Sequence, residues 1–153
     1  MKKIFLAVIV FLVSFSSFSQ DALRKKHFNT NKKGVAIQGY DPVAYFKQGK
    51  AVEGSSSNAV VFGTVTYYFS SLENKEEFKK DPAKYEPQYG GWCAYAMGND
   101  GSKVEVDPET FKIINGKLFL FYNRFFNNTL KTWNKEEASL HTKADANWKK
   151  TYQ

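Results

Sequence analysis

The sequence predicts a small single α+β domain of two β-hairpins, short connecting helices and a helical C-terminus. Two pairs of β-branched and aromatic runs are each divided by a tight turn. Val60-Val61-Phe62 is separated from Val65-Thr66-Tyr67-Tyr68-Phe69 by Gly63-Thr64. Ile113-Ile114 is separated from Leu118-Phe119-Leu120-Phe121-Tyr122 by a turn at Asn115-Gly116, the strongest short-range hairpin signal. Asp-Pro occurs three times, at Asp41, Asp81 and Asp107, and each pair reads as an N-cap followed by a first-turn proline. The last thirty residues place Phe125, Thr129, Leu130 and Trp133, then Ala138, His141, Ala144, Asp145 and Trp148, at helical spacing. A length of 153 residues suits one domain, and 14 Phe, 9 Tyr and 3 Trp exclude a disordered chain.

Taken in order, Met1-Lys2-Lys3 precedes an unbroken apolar run from Ile4 to Val13 and a Ser-rich end at Ser17 and Ser19. This is the pattern of a signal peptide over residues 1–19, cleaved before Gln20, and the run is too short for a comfortable membrane span. The protein is therefore expected to be exported, periplasmic or extracellular, without stable membrane insertion after cleavage. Residues 20–34 are polar and aperiodic and read as a leader segment; the folded domain is expected over 35–150.

Within that domain, Val35-Ala36-Ile37 reads as a short strand and Asp41-Pro42 as the start of a helical turn. After a Gly- and Ser-rich loop and the first hairpin, Ser70-Ser71-Leu72-Glu73 offers a Ser-x-x-Glu capping box for a helix through Phe78 to Lys80. Asp81-Pro82 opens a short helix carrying Tyr85. Gly90-Gly91 permits positive φ, and Trp92 to Met97 reads as a tightly packed helical turn with Cys93 in its first turn. Val104-Glu105-Val106 alternates like a strand, and Asp107-Pro108 is expected to cap a third short helix around Phe111.

Composition excludes several chemistries. One cysteine precludes an internal disulfide framework and any zinc site of several thiolates, and two histidines leave little for a multi-histidine centre. Removing residues 1–19 takes away Lys2 and Lys3 and lowers the formal charge from +7 to +5. The remaining lysines occur as scattered pairs without the stripe a nucleic-acid binder gathers, so no nucleic-acid partner is expected. Walker, dinucleotide-binding, His-Glu-x-x-His and Gly-x-Ser-x-Gly motifs do not occur.

The stretch from Tyr67 to Tyr85, with Gly39-Tyr40-Asp41-Pro42-Val43-Ala44-Tyr45-Phe46, resembles the signature of the YHS domain family. Pro87-Gln88-Tyr89-Gly90-Gly91-Trp92-Cys93-Ala94-Tyr95-Ala96, Asp107-Pro108, Gly116-Lys117-Leu118 and Ala144-Asp145-Ala146-Asn147-Trp148 are similar to its extended, exported branch, from about Gly34 to Trp148. The metal-handling branch carries cysteines where this chain has Ala44, Ser70 and Asn74. None of the three supplies the thiolate or imidazole a soft metal needs. The resemblance implies a fold and no activity that transfers residue by residue.

Cys93 is the residue around which function is expected. As an unpaired thiol it is either a small buried hydrophobe or a ligand, redox or reactive group. Met97, four residues on, and His141 complete a soft set suited to copper or another soft metal. A thiol triad of Cys93, His141 and Asp145 is a further arrangement. Tyr89, Trp92 and Tyr95 surround the thiol in sequence and read either as core rings or as the walls of a small-ligand pocket. The reading is thus a binding module for a small ligand or soft metal ion near Cys93, without demonstrable catalysis. The alternatives are a thiol-dependent redox protein or enzyme using Cys93, and a structural or partner-binding domain.

Overall fold

The computed structural model describes residues 20–152; the signal-peptide expectation for 1–19 lies outside the described residues. The segment expected to be a polar leader is a helix, α1, over 20–27, and it is fastened to the body. Arg24 is only 8% exposed. It donates from Nε to Gly63 O (2.7 Å) and from Nη2 to Phe62 O (3.1 Å), and it pairs with the Glu86 carboxylate. Its guanidinium also lies over the rings of Phe28 and Phe62, at 4.3 and 5.0 Å from their centroids. One buried arginine in a polar stretch leaves no periodic signal, so sequence reasoning had nothing to detect.

Val35 to Ile37 forms isolated bridges to Thr66 and Thr30 instead of a strand, because Ile37 turns to φ 51° and ends it. Asp41 caps α2 (Pro42–Lys47), accepting from Val43 N and Ala44 N. β1 (Ser55–Phe62) and β2 (Val65–Phe69) pair antiparallel with Val60 opposite Tyr67. Val65, Tyr67 and Phe69 all point into the core, as the two-residue period of a strand requires. α3 (Leu72–Lys80) begins one residue later than the capping box implies: Ser71 Oγ accepts from Asn74 N, while Ser70 is engaged by Asp41. Asp81 caps α4 (Pro82–Tyr85) as expected.

A turn at Gln88–Gly91 leads to α5 (Ala94–Asn99). Next, Val104 to Val106 is irregular instead of a strand, and the third Asp-Pro opens β3 (Asp107–Ile114) instead of a helix. Asp107 still accepts from Glu109 N and from Thr110 Oγ1, a local turn of the kind a cap would use. However, apart from Lys112, Thr110 to Ile114 is β-branched or aromatic, and the Asn115-Gly116 turn pulls it back along β4 (Lys117–Phe121), with Phe111 opposite Leu120. A third, unanticipated hairpin comes next: β5 (Asn123–Arg124) and β6 (Asn127–Asn128), with Phe125 and Phe126 at its tip. Phe125 therefore does not belong to a helical stripe. Helix resumes only after Asn128, whose side chain accepts from Leu130 N, in α6 (Thr129–Trp133) and then α7 (Glu137–Thr151).

The described residues thus form an α+β domain of three antiparallel hairpins in separate two-stranded sheets. β4 explains why its Leu-Phe-Leu-Phe run does not alternate with polar residues. Leu118 and Leu120 enter a first core with Tyr45, Tyr67, Phe69, Phe78 and Tyr85. Phe119 and Phe121 enter a second with Tyr89, Met97, Trp133, Leu140 and Ala144. A strand buried on both faces is apolar throughout. α5 lies flush against α7: a Cβ on Gly98 would stand 2.4 Å from Leu140 O, so no larger residue fits there.

Candidate functional site

Cys93 is wholly buried and is the N-cap of α5, not a residue of its first turn. Its backbone donates to Val104 O (3.0 Å) and accepts from Met97 N (3.0 Å). At the sulfur, Tyr122 N donates to Sγ (3.3 Å) and Thr129 Oγ1 lies 3.4 Å away. The Thr129 hydroxyl directs its proton to Tyr122 O (2.9 Å), so the thiol is the donor in the Cys93–Thr129 contact. Both polar functions of a neutral thiol are thereby satisfied, and the sulfur ties the start of α5 to the end of β4 and the start of α6.

The residues expected to join Cys93 do not all converge on it. Met97 packs in the second core with Phe119, Phe121 and Trp133, whereas Cys93 belongs to the first. The helical i,i+4 spacing fails here because the Cys93 backbone, at φ −57° and ψ 117°, is extended. His141 sets its ring edge-on to Phe119, 5.1 Å between centroids, and holds Asp145 at 3.8 Å. Asp145 in turn accepts from Tyr89 Oη at 2.9 Å. Burial and that carboxylate together push the Tyr89 phenol well above its ordinary range. Cys93, Met97 and His141 thus form no single ligand set, and the sulfur's hydrogen-bond partners do not include His141. Among the described residues no group of three or more His, Cys, Asp and Glu side chains is placed to hold a metal ion.

Tyr89 and Trp92 are likewise structural. Tyr89 stands in the second core, and Trp92 Nε1 donates to His27 O (2.7 Å). The turn that carries them needs its glycines: a Cβ on Gly90, at φ +60°, would stand 2.9 Å from the Trp148 ring. Tyr95 alone of the three lines the cleft whose wall includes the buried Cys93.

That cleft has a volume of about 420 Å³. Cys93, Ala96 and Val104 are among its apolar lining, with Tyr95, Tyr122 and Thr129 beside them and Asn99, Asp100, Ser102 and Asn127 supplying polar groups. Among the described residues of this lining, Asp100 is the only charged one. Its carboxyl is held below its usual range by the hydrogen bonds from Ser102 and, to a lesser degree, from Asn99. Asn99 to Ser102 is legible in the sequence as a turn, but nothing there indicates that the turn faces Tyr122, Asn127 and Thr129 across a cleft. The volume lies in the range of small-molecule sites, and an apolar lining with a few convergent polar groups is their usual chemistry. Comparison with protein-family profiles, with curated proteins and with solved structures gives no match to this chain.

Proposed function

We propose that this chain is an exported YHS-type domain that acts as a binding module, taking a small neutral or cationic ligand into the cleft beside Cys93. The observation that carries this reading is the cleft itself: about 420 Å³, bordered by two tyrosines, two asparagines and two hydroxyls, with Asp100 as its single charge. Such a lining offers hydrogen bonds in both directions and favours a ligand with a donor head over an anion. The signal-like N-terminus and the ordered YHS-like motifs support export and family. Cys93 serves as a structural member of the wall, which favours the binding reading over a thiol enzyme. A soft metal would meet one satisfied sulfur, with Met97 in the other core.

The test is a nuclear magnetic resonance titration with small amines, amides and polyols. Amines should shift the amide signals of Tyr95, Ser102, Tyr122 and Thr129, and Asp100→Asn should weaken them about tenfold, the loss of one charge-assisted contact. If no probe moves those signals, or if Asp100→Asn leaves the amine affinities unchanged, the reading is wrong. Copper analysis of wild type and Cys93→Ala protein provides the companion result: equal content in both disposes of a metal site at the sulfur.

A further inference from the structure

Two phenylalanines stand side by side in water at the tip of the third hairpin. Phe125 is 88% exposed and Phe126 fully exposed. Both also adopt left-handed backbone conformations, φ 52° and 65°. A two-residue hairpin turn of this kind normally takes Asn-Gly, because bulky side chains are strained there. The sequence meets that rule at the neighbouring turn, Asn115-Gly116, and departs from it at Phe125-Phe126. Exposed apolar surface and backbone strain at one point oppose stability twice over, which is the mark of a segment held for binding.

We propose that the Phe125–Phe126 tip is an interfacial anchor that dips into the headgroup layer of an anionic phospholipid membrane. Charge selects the surface. From Thr110 to Lys135 every charged side chain is a cation: Lys112, Lys117, Arg124, Lys131 and Lys135. Lys112 is taken by Glu137, whereas Arg124 is exposed and immediately precedes the aromatic pair. The acidic groups nearest in sequence are Glu136 and Glu137, beyond α6, where Glu137 is paired with Lys112; Asp107 and Glu109 belong to the base of the hairpin, where Asp107 lies opposite Phe121 and Thr110 meets Asn123. Area argues against a protein partner. Two phenylalanines bury about 300–500 Å², well short of the roughly 800 Å² each partner contributes to a stable interface. A bilayer needs no complementary pocket and rewards a protruding aromatic tip flanked by cations.

The contact is peripheral: among the described residues no helix is long and apolar enough to cross a membrane.

The experiment is co-sedimentation with phosphatidylcholine vesicles, with and without roughly a third of phosphatidylglycerol. The double variant Phe125→Asn/Phe126→Gly relieves the strained turn and preserves the fold, and residues 1–19 are common to both chains. Wild type should bind the anionic vesicles at least about tenfold more tightly than the double variant, and Arg124→Gln should fall between them. Thermal unfolding should show the double variant at least as stable as wild type. Equal vesicle binding by the variant, or no binding by wild type to either vesicle, overturns the proposal. So does a wild-type self-association that the variant abolishes, since the tip is then a protein contact.

Discussion

Asp41 is buried completely, and its carboxylate accepts five hydrogen bonds. Val43 N (2.9 Å) and Ala44 N (3.3 Å) reach Oδ1, while Ser70 N (2.8 Å), Ser70 Oγ (2.6 Å) and Asn74 Nδ2 (2.7 Å) reach Oδ2. One side chain thus caps α2, fixes the exit of β2 and holds the first turn of α3. Replacing Asp41 by Ala strands four N–H groups and a hydroxyl where water has little access. Loss of an N-cap costs about 1 kcal/mol, and each donor left without its charged acceptor costs about 1–3 kcal/mol. Allowing for relaxation and for the Asn74–Ser70 contact that survives, Asp41→Ala should lose about 4 kcal/mol. Asp41→Asn retains an acceptor toward Val43 but turns an amide against Asn74, and should lose about 2 kcal/mol. Urea unfolding followed by tryptophan fluorescence measures both, with an unchanged denaturant slope as the sign that the transition is the same one. A double-mutant cycle with Asn74→Ala should give a coupling of about 1 kcal/mol or more. A loss below about 1 kcal/mol for Asp41→Ala, or additivity in the cycle, would refute the assignment of Asp41 as the junction of these three elements.

Arg24→Met should cost about 3 kcal/mol, since Glu86 and Tyr67, whose hydroxyl donates to Glu86 at 2.6 Å, are left buried with the carboxylate unpaired. Hydrogen exchange would then show residues 20–33 opening well before the rest of the domain. Gly98→Ala should cost about 2 kcal/mol or more in a thermal melt, because its Cβ meets the backbone carbonyl of Leu140 and neither helix can yield without moving the other. Lys112 holds the Glu137 carboxyl below its ordinary value of 4.5, chiefly by their hydrogen bond. The folded-state value being lowered, this pair's stabilisation is present above about pH 4.5 and fades as the pH falls below it. Lys112→Met should flatten that acid limb by about 0.5 kcal/mol, as suits a partly exposed pair. Stability curves of the two proteins that stay parallel below pH 5 would contradict this.

Local chemistry was readable where a residue acts on its own neighbours. Asp41 and Asp81 before proline and the Gly63-Thr64 and Asn115-Gly116 turns all work through partners a few residues away, and each stands where the sequence puts it. Asp107-Pro108 shows the limit. The same dipeptide makes the same local turn, yet pairing with β4 makes the next residues a strand and not a helix. Ser70 shows another: it is drawn from its capping role by Asp41, distant in sequence and adjacent in space. The separation of Cys93 from Met97 was hidden for a related reason. Cys93 and Met97 look like neighbours only if both are helical, and the cap conformation at Cys93 sends them to opposite cores. Asn127 faces the cleft from a hairpin that replaces the anticipated helix, and no pattern in that stretch announces the exchange.

Ala44 and, far from it in sequence, Ser70 and Asn74 all donate to Asp41. The seam between Phe28 and the end of α7 has a different consequence, one of timing. Phe28 rests against Trp148 and Tyr152, whose rings stack on each other 5.3 Å apart, so a segment near the start of the body finds its seat only when the last helix arrives. A growing chain can close its first hairpin around Arg24 early, but Phe28 gains its Trp148 and Tyr152 contacts only once α7 has been made. Truncations short of Trp148 should therefore loosen α1 and the Phe28 segment.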